Sequence, residues 1–113
     1  MTFSEVIDAM PTSCDSADDV IRVKEWWLLA KPLVEKVDPA CARKYDSVFE
    51  NLHFPQAGIH SKLDAIGIRD QQLPDHVLRN KRKEESEYAR FRTTVALQLL
   101  HIKNDLRSLV RGN

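Results

Sequence analysis

From Asp75 to Val110 the chain runs for 36 residues without a glycine or a proline. Those two residues end helices most readily, one by excess backbone freedom and the other by its missing N–H. A stretch this long without either predicts one helix of about 54 Å at about 1.5 Å per residue, or two helices broken near Asn80. Inside it, Tyr88, Phe91, Val95, Leu99, Ile102, Leu106 and Leu109 step by 3, 4, 4, 3, 4 and 3 residues. Such a near-heptad stripe needs a packing partner along its length. The rest of the chain must fold against it.

The remaining sequence reads as short helices. The stretch "TFSE" is a capping box, with Thr2 as N-cap and Glu5 at the third helical position. It predicts a helix from Phe3 to about Met10, closed by Pro11. A polar turn follows, and Ser16 then caps a second helix with Asp18 and Asp19 in its first turn. Val20, Val23, Trp27 and Ala30 hold the helical period, while Trp26, Leu28 and Leu29 widen the apolar arc. That breadth predicts a central, well-covered helix. Pro32 interrupts it, but Leu33, Val34 and Val37 keep the period, which favours a kinked continuation over a stop. Asp38 and Pro39 open a third helix to about His53, with Cys41, Tyr45, Val48, Phe49 and Leu52 on one stripe. A last short helix is expected around Ile59, Leu63 and Ile66, ended by Gly67.

With 113 residues and only three glycines, the chain is expected to form one all-α domain, 1–113. Its architecture is three to four short helices packed on one long C-terminal helix. No run of about 18 apolar residues is present, so no membrane contact is expected. The opening "MTFSEVIDAM" lacks a basic region and a long apolar run, so no secretory leader is expected. Cys14 and Cys41 fit no metal spacing and read as free thiols in a reducing cytoplasm.

Net charge is zero, but residues 1–73 carry 8 basic and 12 acidic residues, and 74–113 carry 9 and 5. The basic excess concentrates in "RNKRKEESEYARFR", Arg79 to Arg92. At about 100° per residue, Arg79, Arg82, Lys83 and Arg90 share the side opposite the apolar stripe. Ion pairs Lys81–Glu85, Lys83–Glu87 and Glu87–Arg90 are expected to make this a solvated, self-neutralised face. The competing reading is a face for nucleic acid or for an acidic protein; the interspersed glutamates and the neutral whole argue against nucleic acid.

Catalytic signatures such as GxGxxG, GxxxxGK[ST], HExxH and GxSxG are absent. His53, His60, His76 and His101 are scattered. His60 and Asp64 are four residues apart and would, with His53, make the one metal set to weigh. Surface histidines are the commoner outcome, and His101 is expected as a core histidine. Acids around Cys14 should raise its pKa and keep it unreactive. No cofactor is implied.

Further along, "TTVALQLLHI" (93–102) is apolar on nearly every side, with Leu97 and Leu100 off the main stripe. Such a segment asks to be covered all round, which about 70 other residues do poorly. The pattern predicts a second chain at this surface. Trp26 and Trp27 point about 100° apart, so one can fill the core while the other meets a neighbour or a ligand; core and partial burial is the commoner outcome, and an anchor for a partner is the alternative. The expected function is therefore non-enzymatic protein–protein interaction in the cytoplasm: an adaptor, inhibitor, immunity-type protein or assembly factor, as a homodimer or with another protein. The interface residues are Trp26, Trp27, Leu97, Leu100, Ile102 and Leu106. The alternative is a nucleic-acid-binding regulator using Arg79, Arg82, Lys83 and Arg90.

Overall fold

A computed structural model describes residues 2–55 and 67–111. The helix expected around Ile59, Leu63 and Ile66 lies outside the described residues. Those described form helices and connecting turns, with no strand among them. They comprise α1 (Phe3–Asp8), α2 (Ala17–Val37), α3 (Pro39–Glu50), a 3-10 turn (Asp70–Gln72) and α4 (Asp75–Arg111).

Each helix begins where a side chain can satisfy its free N–H groups. Thr2 accepts from the Glu5 amide at 3.2 Å, Ser16 from Asp19 at 3.3 Å and Asp38 from Cys41 at 3.1 Å. Helix α1 stops at Asp8, two residues earlier than the pattern suggests. The chain must leave the helical region before Pro11, yet Met10 still reaches the core at 3 % exposure. Helix α3 likewise ends at Glu50, closed by Asn51, whose side-chain amide donates to the Ser47 carbonyl at 2.9 Å.

Helix α2 continues through Pro32 to Val37. Proline takes the helical partner from the carbonyl four residues back, which is that of Leu28. Both Leu28 and Pro32 are exposed, so water can take the place of the missing donor. Asp38 then does two jobs. Its N–H closes α2 on the Val34 carbonyl at 2.8 Å, and its carboxylate opens α3.

By contacts the chain divides into two compact units, Met1–Phe54 with Thr94–Asn113, and Pro55–Thr93. In the first unit, α2 packs on α3 around an aromatic cluster. The Trp27 ring stacks on Phe49 with centroids 4.9 Å apart, and Trp26 meets Phe49 edge-on at 6.1 Å. Val95, Leu99, Ile102 and Leu106 of α4 are buried in the same unit. Polar ties fix this part of α4. Lys103 donates to the Asp8 and Met10 carbonyls at 3.1 and 3.2 Å, satisfying the frayed end of α1. Arg107 pairs with Asp8 at 3.6 Å, and the Tyr45 hydroxyl donates to Asp105.

In the second unit, Gly67 takes the left-handed backbone at φ 85°, which glycine adopts without strain. The Pro74 carbonyl accepts from Val77 and Leu78, each at 3.0 Å, and starts α4. Val77, Lys81, Glu84, Tyr88 and Phe91 step by 4, 3, 4 and 3 and are the buried or half-buried residues on one side of α4 here.

Candidate interaction surfaces

Both tryptophans lie in the core, and neither is an exposed anchor. Trp26 and Trp27 are both buried, because each indole N–H finds an acceptor. Trp26 donates to the Val6 carbonyl at 2.7 Å, and Trp27 to the Asp46 carboxylate at 3.0 Å. Lys31 lies 3.2 Å from the same carboxylate. The indole bond, then Lys31, hold the Asp46 pKa below the usual carboxylate value. Ile102 and Leu106 are also in the core. Of the six residues read as an interface, only Leu97 and Leu100 face outward.

Helix α2 packs on both α1 and α3, as its expected central place requires, but its outer face is not covered. Leu28 and Leu29 are each 70 % exposed and Ile21 is 54 % exposed; on α4, Leu97 and Leu100 are 64 % and 46 % exposed. Within "WWLLA" apolar residues occupy every direction, but the longer stripe of Val20, Val23, Trp27 and Ala30 runs on the side away from Leu28 and Leu29, and that side is the buried one. His101 is exposed rather than buried, as are His53 and His76. His101 follows Leu100 on the outer side of α4, one position before the buried Ile102. His60 and Asp64 lie outside the described residues. Among the described residues no three histidines, cysteines or acids are grouped to hold a metal ion, and no helix is long and apolar enough to cross a membrane.

A cleft of about 440 Å³ in the first unit is lined by Asp38, Cys41, Lys44, Tyr45, Asp105 and Ser108, among others. Burial and then Asp38 and Asp105 push the Cys41 thiol above its usual pKa. Burial and the bond to Asp105 do the same for the Tyr45 phenol. Both potential nucleophiles are therefore held neutral. Cys14 is raised first by burial and then by Asp19 and Asp15. Both cysteines are free thiols.

On the second unit, Arg79, Arg82, Lys83, Ser86 and Arg90 are all exposed and recur at i, i+3, i+4, i+7 and i+11, forming one ridge. The pairs expected to neutralise Lys83 and Arg90 are not formed. Among the described residues, no ion pair joins Lys83 to Glu87 or Glu87 to Arg90. Lys81 is buried at 4 % exposure, whereas Glu85 is exposed. Both carboxylate oxygens of Glu84 are buried without a hydrogen-bond partner. Between Arg79 and Arg92 this leaves five exposed basic residues and two exposed acids, Glu85 and Glu87.

No family model matches the chain, and neither a curated protein nor a solved structure matches it.

Proposed function

We propose that this chain is a non-catalytic, cytoplasmic protein-interaction module that binds through the outer faces of α2 and α4, with a second copy of itself as the first partner to test. The observation that carries this reading is the set of exposed aliphatic residues in the first unit: Ile21, Leu28 and Leu29 on α2, Leu97 and Leu100 on α4. Covering one such side chain contributes about 1.5–3 kcal/mol of driving force. Single exposed apolar residues are ordinary, whereas repeated ones on one helix face suit a partner. The two free cysteines fit a reducing compartment.

Light scattering coupled to size exclusion tests the reading. A mass above that of one chain is expected, or a complex captured from native extract. Leu28→Glu and Leu97→Glu should each weaken association at least tenfold with helicity unchanged. A monomer at high micromolar concentration that captures nothing would end the proposal.

A further inference from the structure

We infer that the outward ridge of α4 over residues 79–90 binds the phosphate backbone of a nucleic-acid duplex. The inference concerns a different surface from the leucines above and does not rest on them. Arg79, Arg82, Lys83 and Arg90 stand exposed with no ion pair among the described residues. Glu84 lies on the far side of the helix from the ridge, and both its carboxylate oxygens are buried. Glu85 projects about 120° from the ridge at 100° per residue. Of the acids between Arg79 and Arg92, Glu87 borders the bases, in a cleft of about 210 Å³ that it shares with Lys83, Ser86 and Arg90, and exposed Asp75 stands four residues before Arg79 on the same line.

The composition of the ridge selects phosphate over an acidic protein. No large apolar side chain is exposed among the described residues of the second unit, whereas the first unit exposes several. Protein interfaces draw most of their energy from buried aromatic and aliphatic anchors. Backbone contacts to nucleic acid need only cations and hydrogen-bond donors. Three of the four cations are arginines, whose planar fork suits phosphate oxygens, and the Ser86 hydroxyl adds a donor between them. From Arg79 to Arg90 the ridge covers about 16 Å, the axial length of roughly five phosphates on one strand. Overall neutrality does not cancel this. Charges more than about 8 Å away are largely screened at physiological salt.

The test is fluorescence anisotropy of the full chain with labelled duplex DNA and, in parallel, duplex RNA. Four neutralised phosphates give a log K against log salt slope of about −3.6 on DNA, or roughly 150-fold weaker binding at 200 mM than at 50 mM. The double variant Arg82→Gln/Lys83→Gln should halve that slope, to about −1.8. Glutamine keeps helix propensity, and circular dichroism checks the fold. Glu87→Gln should tighten binding severalfold, and Leu97→Ser should leave it unchanged. Neither duplex binding at about 25 mM salt, a slope indifferent to Arg82 and Lys83, or equal binding of labelled poly-glutamate would each overturn the inference.

Discussion

The two parts of α4 keep one helix going by different means. Over 94–111 the inward positions are Val95, Leu99, Ile102 and Leu106, all buried, and Lys103, Asp105 and Arg107 tie the helix to its neighbours. Over 75–93 the inward positions include a lysine and a glutamate, Lys81 and Glu84. Outward, the pattern reverses: leucines at 97 and 100, and cations at 79, 82, 83 and 90. A helix thus needs only a continuous backbone pattern. What its faces carry decides which part is held by packing and which part is free to meet charge.

The largest expected effect lies in the packed part. Leu106→Ala, at a fully buried position, should cost about 2–5 kcal/mol in urea unfolding, whereas Val77→Ala at a half-buried position should cost about 1 kcal/mol or less. Equal losses would dissolve the contrast.

Tyr45→Phe comes next. It strips a charged acceptor, Asp105, of its donor, which should cost about 1.5–3 kcal/mol. The same bond gives a pH signature. The Tyr45 pKa is raised in the folded protein. Its contribution is therefore full below the ordinary tyrosine value of about 10 and is lost as pH rises from there toward the folded value. The wild type should lose stability in that alkaline window, and Tyr45→Phe should lose less. Parallel alkaline denaturation curves would remove Tyr45 from the account.

Glu84→Met should do the opposite of most substitutions and stabilise by about 1 kcal/mol, because an apolar side chain of similar size replaces buried, unbonded oxygens. A fall in melting temperature would show that the carboxylate is satisfied after all. The smallest effect belongs to Leu97→Ser. Within about 0.5 kcal/mol of wild type, it should alter association and leave unfolding alone.

Much of the fold was legible because helix starts are written in local chemistry. Thr2, Ser16 and Asp38 cap where their sequence contexts said they would. The glycine-free, proline-free stretch is one helix, and α2 runs through Pro32 because Leu33, Val34 and Val37 keep its period. Helix ends were read two or three residues too long at Met10 and His53, since the stripe continues into residues that are buried without being helical. The surfaces were less legible. Leu28 and Leu29 sit beside Trp26 and Trp27 in a run apolar on every side, and only the longer period of Val20, Val23, Trp27 and Ala30 marks the tryptophan side as covered. The indole N–H acceptors at Val6 and Asp46 were not legible, since both lie about twenty residues away in sequence. The ion pairs expected around Lys83 and Glu87 had the right spacing. Spacing permits a surface pair without compelling it, because side-chain entropy offsets most of the small gain.

Asp38 has a bearing on the order of assembly. One residue terminates α2 with its N–H and initiates α3 with its carboxylate, so the two helices follow each other with no linker. Their pairing also closes almost no loop, so its entropic barrier is low. Contacts this local form early in folding. The hairpin of α2 and α3 would therefore be the first tertiary unit to appear, a template already standing when the last helix emerges to be received.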